Sequence, residues 1–376
     1  MRLLVIILLF FYKAEAQTSA LQVADSLYAY GKYSDAIKAY NNIEKNELVY
    51  EKLAKSYVAL GNYSQAILSY EEALKQATKN ELLAFQLAKL YKQTKAFEKA
   101  KSQLLKLIDL DYKNPNYHYE LGEVYTALND EFAAQSRYYT AYELDKTNQK
   151  TIYELAKYYF KKNNETVFLK YLNEGLETYP ENKSLISLKA QYYFNKADFK
   201  TAKLQFELLL SLNEDTQFVN EKLSWCYEKL YQDEKAIQYL EKALKFESNN
   251  TQYLFRLANL YERQENFSKA ETYYKEALQI QDQPLDKAYT SLGTVLNRQS
   301  KHKEALEVFK KAEQFNPNNV YIKFLIANTK VAYYSDYKSK IAVLEQFKKQ
   351  YPESQFDEMI DYKLSELKRE EFHSDK

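Results

Sequence analysis

Residues 53–74 read LAKSYVALGNYSQAILSYEEAL. Leu53, Ala54 and Tyr57 form one helical stripe, and Ala66, Tyr70 and Ala73 form a second. Gly61-Asn62 falls between them, where a helix ends and the next begins. The stretch reads as two helices of about 14 residues and a short turn, 34 residues in all with its next joint.

The pattern recurs along the chain. Small residues stand at Ala24, Ala54, Ala88, Gly122, Ala156, Ala190, Ser224, Ala258 and Gly293, with steps of 30, then 34 six times, then 35. Three places on come Leu27, Tyr57, Tyr91, Tyr125, Tyr159, Tyr193, Tyr227, Tyr261 and Leu296. Twelve places on come Ala36, Ala66, Ala100, Ala134, Phe168, Ala202, Ala236, Ala270 and Ala305. Sixteen places on stands a large residue, such as Tyr70, Tyr138, Phe206 or Tyr274. The small columns let backbones approach, and the large ones fill the seam to the next repeat. A fixed period of this kind marks a repeat architecture.

Composition agrees. Gly and Pro number 5 each, against about 45 together for average usage. A chain rich in strands or loops needs more turn formers. The 38 Tyr are in excess, and much of that excess is repeat columns. Lys+Arg 53 against Asp+Glu 52 leaves +1, which removes the basic footprint of a nucleic-acid binder. One Cys excludes a disulfide framework and a multi-thiolate metal site.

The columns of aliphatic, small, aromatic and Ala at a 34-residue period resemble the tetratricopeptide repeat family. The resemblance covers about 20 to 350. It implies an all-α fold, a right-handed α-solenoid of about nine to ten helix pairs. The expected organisation is a leader over 1–16, one solenoid over 17–352, and a capping helix with tail over 353–376.

Several departures stand out. Phe168 replaces Ala in its column, and a ring there predicts a splayed fifth repeat unless Gly175 makes room. Lys189 breaks the aliphatic column. A tenth repeat starts near Val320, with an irregular second half around Tyr337 to Phe347. Phe356, Met359, Ile360, Leu364 and Leu367 form the stripe of a capping helix, with residues 368–376 as a frayed tail. Pro284 loosens the joint from Gln281 to Asp286.

At the N-terminus, Arg2 precedes the apolar run LLVIILLFFY (3–12) and Ala14-Glu15-Ala16. This is the pattern of a cleaved secretory signal, and ten apolar residues are too few to span a bilayer. The expected mature chain begins at Gln17, without a lipid anchor or a membrane span, in the periplasm or outside the cell.

Catalytic chemistry has little to stand on. His118, His302 and His373 show no metal-ligand spacing, so no metal is expected. Five Gly cannot build a phosphate loop, and no cofactor is expected. Cys226 beside Trp225 reads as a small buried apolar residue. The five N-x-S/T triplets, at Asn62, Asn164, Asn182, Asn249 and Asn266, read as chance in an Asn-rich chain. An enzyme is not expected.

In the family the first helix of each pair lines a concave wall. The resemblance therefore places Phe85, Lys89, Lys92, Tyr119, Glu123, Tyr153, Lys157, Phe160, Phe194, Trp225, Phe255 and Asn259 on that wall. Phe85, Tyr119 and Tyr153 recur at 34, flanked by Lys89, Lys92 and Lys157. Rings and lysines there suit an extended peptide or a sugar face, or the rings pack between repeats. Some family members clamp a carboxylate with Lys and Asn four apart, and pairs such as Glu51/Lys55 and Phe255/Asn259 do not match that pattern. The expectation is an exported, non-enzymatic scaffold for protein partners; the alternative is a carbohydrate-associated module of an envelope polysaccharide system.

Overall fold

The structure, a computed structural model, describes residues 19–280 and 285–374. The leader reading over 1–16 and the joint at Pro284 lie outside the described residues. The chain divides into two compact units, one to Leu185 and one from Ile186.

Among the described residues, the first unit carries ten whole helices in five pairs. They are α1 (19–29) with α2 (Tyr33–Asn41), α3 (Glu47–Ala59) with α4 (Tyr63–Gln76), and α5 (Glu81–Gln93) with α6 (Phe97–Leu110). Then come α7 (Pro115–Ala127) with α8 (Glu131–Leu144), and α9 (Gln149–Lys161) with α10 (Glu165–Thr178). The unit boundary falls inside α11 (Lys183–Asn195), and α12 (Phe199–Ser211) follows it. The second unit continues with α13 (Gln217–Lys229), α14 (Asp233–Phe246), α15 (Thr251–Arg263) and α16 (Phe267–Ile280). It ends with α17 (Leu285–Arg298), α18 (His302–Phe315), α19 (Val320–Tyr333), α20 (Tyr337–Gln350) and α21 (Asp357–Ser374). No strand occurs among the described residues. From α2 to α10, and from α12 to α21, each helix packs on the next. Contacts so local make stability a sum over neighbouring repeats.

Local chemistry sets the helix ends. Asn or Asp stands before most helices and accepts from an N–H of the first turn, as Asn46 does from Val49 and Asp130 from Ala133. Four of the N-x-S/T asparagines are such caps: Asn62, Asn164, Asn182 and Asn266 accept from Gln65, Val167, Leu185 and Lys269. Helix starts thus account for the Asn of these triplets; Asn46, Asn80 and Asn148 cap in the same way without a Ser or Thr two places on.

The turn inside each pair is also uniform. Seven residues after every small residue the backbone is left-handed: Gly31, Gly61, Lys95, Asn129, Asn163, Ala197, Tyr231, Glu265 and Ser300. The next N–H closes a Schellman bond, as in Ala96 to Tyr91 at 2.8 Å. Only two of these nine sites are Gly, so the scarcity of Gly leaves a conformational cost of about 1 kcal/mol at several turns. Tyr231 is 91% exposed and has little packing to lose. Tyr231→Gly is expected to raise stability by about 1 kcal/mol, seen as a higher urea midpoint, with Gly61→Ala moving it the other way.

Both small columns are buried throughout. Gly122 shows the close approach most sharply: a Cβ there would meet the Tyr138 ring at 2.6 Å.

The fifth pair is not splayed. Phe168 is 1% exposed, and α9 packs on α10 within the range of the other pairs. The expectation of a distorted repeat fails because the ring has moved one helical turn. Repeat four carries Ala134 and Tyr138; repeat five carries Phe168 and Leu172. Each pair still holds one ring, and Phe168 settles against Phe160 at 5.3 Å. Gly175 makes room elsewhere: a Cβ there would meet Leu185 at 2.3 Å and Ile152 at 2.9 Å.

Two readings at the C-terminus also change. The second half of the tenth repeat is a regular helix, α20, because Ile341, Leu344 and Phe347 bury against Ile360, Leu364 and Leu367 of the capping helix. The capping helix runs to Ser374, so residues 368–374 are not frayed; Lys368 pairs with Glu345 at 2.6 Å. Met359 does not join the stripe and is 55% exposed.

Candidate functional site: the first-helix face

Every wall position named from the sequence is half-buried or exposed. In the first unit, Lys89 lies over the Phe85 ring at 5.7 Å, and Phe85 packs against Tyr117 at 5.2 Å. Lys92 pairs with Glu120 and lies 3.9 Å from Glu123. Tyr119 packs on Tyr138 at 5.8 Å. Lys157 covers Tyr153 at 5.6 Å and pairs with Glu154 at 3.2 Å. Among the described residues, Phe85, Tyr119 and Tyr153 make no ring contact with one another. They are three separate platforms rather than a stack, and Phe160 is occupied by Phe168.

In the second unit, Phe194 packs on Phe199 at 5.5 Å, with Lys222 over its face at 5.0 Å. Trp225 carries the Arg256 guanidinium at 3.9 Å, a stacked cation–π pair. Arg256 also donates to Glu228 at 2.9 Å and Ser224 at 3.1 Å. Phe255 packs on Tyr274 at 5.2 Å.

Beneath this face runs a support that the sequence columns did not reveal. The large second-helix tyrosine reaches back to the residue one place after its own small column. Tyr40 donates to Asp25 at 2.5 Å, Tyr138 to Glu123 at 2.9 Å and Tyr274 to Asn259 at 2.5 Å. The separation is 15 residues each time. Burial raises the pKa of all three phenols well above the usual range, so they stay donors at neutral pH. Glu123 and Asn259 are thus oriented from behind. The signal was present, a Tyr fifteen after an acid or amide, but it reads first as core packing.

A second tyrosine column joins repeats. Tyr91, Tyr227 and Tyr261 donate to Glu71, Glu207 and Glu241, each twenty residues back in the preceding repeat. Phenylalanine would fill that seam but leave the carboxylate without its bond.

Cys226 is buried, and burial pushes its thiol up to about 12, which makes it unreactive. His118 is fully buried, its Nε2 2.8 Å from the Tyr112 carbonyl, and burial lowers its pKa. Among the described residues no three His, Cys, Asp or Glu side chains group as metal ligands would. No helix of the described residues is long and apolar enough to cross a membrane.

Comparison with known proteins gives the repeat its name. Models described as tetratricopeptide repeat match residues 21–81, 57–122, 219–250 and 247–317. Response regulator aspartate phosphatase E of Bacillus subtilis is 33% identical over 97 residues, which is 23% of this chain. The match spans about a quarter of that relative, 26% of its length. Among solved structures, yeast Tom70 is similar over 95% of this chain and 96% of its own, with a TM-score of 0.35 and 14% identity. Pseudomonas aeruginosa pilF is similar over 57% of this chain and 98% of its own, with a TM-score of 0.44 and 15% identity. With the helix pairs, the 34-residue step and these four matches, the chain belongs to the tetratricopeptide repeat family.

Proposed function

We propose that this chain is an exported, non-catalytic scaffold that holds an extended segment of a partner protein on its first-helix face. One observation carries the reading: Glu123 and Asn259 are held from behind by buried tyrosines while their outward sides stay accessible. Fixed polar groups beside half-open rings suit main-chain and side-chain contacts with a polypeptide. Export rests on the N-terminal pattern alone. Intact mass of the exported fraction tests it, with Gln17 expected as the first residue.

Leucine substitution tests the face itself. Phe85→Leu and Phe255→Leu keep volume and remove the ring. Peptides selected from a display library against the whole chain are expected to bind several-fold more weakly to these variants, with melting little changed. Glycan-array signals lost on ring removal, with no peptide selected, would favour the carbohydrate reading instead.

A further inference from the structure

We propose that His118 is an acid-sensitive latch: proton uptake on its ring loosens α7 from the joint over 111–114 and opens the first unit there. The inference concerns the fold alone and holds whether or not the first-helix face takes a partner.

The place is an apolar one. Four residues before the small residue, repeats three, five, six and eight carry Ala84, Ile152, Ile186 and Leu254, all buried. His118 stands in that column in repeat four and is fully buried. Its Nε2 lies 2.8 Å from the Tyr112 carbonyl, which can only accept. The neutral ring therefore carries its proton on Nε2 and donates it there. The ring also meets the Tyr112 ring edge to face at 4.9 Å. Both contacts tie α7 to one residue of the joint that precedes it. Nδ1 is buried and has no hydrogen-bond partner.

A second proton can enter only at Nδ1. It creates a buried N–H with no acceptor and a buried charge with no counterion. Of the charged side chains on α5, α6 and α8, which pack against α7, Arg137 of α8 is the one that acts on the ring, and it is a like charge. Acids around the first turn of α7 are engaged elsewhere. Glu81 of α5 accepts from the Tyr117 hydroxyl at 3.1 Å, and Asp111 of the joint accepts from the Lys113 N–H at 3.0 Å. On α6, Asp109 is exposed. Burial, with Arg137, lowers the His118 pKa, and the Tyr112 carbonyl does not offset them. The unfolded chain therefore takes up this proton first as pH falls. Stability from neutral His118 is fully present above about pH 6.5, the unfolded imidazole value, and is lost below it. Repeat seven carries the same column without the switch: Asn220, equally buried, donates to the Thr216 carbonyl at 2.9 Å and cannot titrate.

The test uses the whole chain and amide hydrogen exchange over residues 107–124, read by mass spectrometry. Wild type is compared with His118→Leu at each pH, so that the intrinsic exchange rate cancels. Leu suits the apolar column. His118→Gln keeps an N–H donor for the Tyr112 carbonyl without titrating, and it replaces the Leu variant if that one folds poorly. The ratio of wild-type to variant exchange is expected to be constant from about pH 7.5 to 6.5. Below that it is expected to rise by up to about tenfold for each pH unit, the effect of one proton taken up by the open form alone. Exchange over α13, which carries Asn220, is expected to show no such rise. The His118 ring resonance, assigned by its absence from the variants, is expected to move at a lower pH in the folded chain than in the urea-unfolded chain. An exchange ratio that does not change with pH overturns the latch. So does a ring that takes its proton at the unfolded value while the chain stays folded.

Discussion

Phe168→Ala is expected to destabilise the first unit by about 3–5 kcal/mol, although Ala is the residue that the repeat column prefers. The column describes a helix pair in which a large residue one turn later fills the seam. In repeat five that residue is Leu172, 1% exposed, and the buried ring stands one turn earlier at Phe168. Truncation leaves a cavity bounded by Phe160, and α9 is held on its other side by α8. Adding Leu172→Tyr restores the arrangement of Ala134 and Tyr138 in repeat four and should recover at least about half of the loss. Urea unfolding of the two single variants and the double checks this. A neutral or stabilising Phe168→Ala would mean that the ring is surplus, and the account of the fifth repeat would be wrong.

The second large effect is alkaline unfolding. Tyr70, Tyr117, Tyr171, Tyr261 and Tyr273 are pushed up to about 12, chiefly by burial, and Tyr40, Tyr91, Tyr138, Tyr227 and Tyr274 higher still. The folded chain therefore holds these protons more tightly than the unfolded chain does. Stability from them is fully present below pH of about 10, the unfolded phenol value, and is lost as pH rises toward 12 and beyond. A tenfold tighter hold on one proton corresponds to about 1.4 kcal/mol, and many phenols act together. Melting temperature should be flat from about pH 7 to 9 and fall steeply above 10, with the buried tyrosines' share of the tyrosinate absorbance appearing at the unfolding transition. A chain that stays helical while all of its 38 tyrosines ionise would contradict the buried-phenol account.

The fold was legible because repeat physics writes itself into spacing. Small residues at a fixed step, Ala twelve later and a ring at sixteen define two packed helices and their seam. The misreadings lie where one position was judged alone. Phe168 looked disruptive until paired with Leu172 one turn on. The helix over Tyr337–Gln350 looked irregular because it buries against the capping helix and has no following repeat to match.

The candidate face was legible only by position. The sequence put Tyr119, Glu123 and Asn259 on one set of helices, and the structure keeps them half-buried or exposed. It could not show that Tyr138 and Tyr274 hold Glu123 and Asn259 from behind, because those tyrosines already had a packing role. Nor could it show that Arg256 stacks on Trp225, since that pair depends on the geometry of adjacent repeats. The tyrosine excess now has a physical account: rings for the seam, hydroxyls for a carboxylate or amide on the neighbouring helix.

The central claim is that a partner polypeptide lies along the first helices. Site-specific photocrosslinking in the native cells tests it most directly. A photoreactive residue is placed at Lys89 or Asn259, both exposed on first helices, and for comparison at Tyr139 or Leu204, 46% and 52% exposed on second helices. The account predicts a crosslinked polypeptide from Lys89 and Asn259 and none from Tyr139 and Leu204. Capture from the second helices alone, or equally from all four positions, would contradict it.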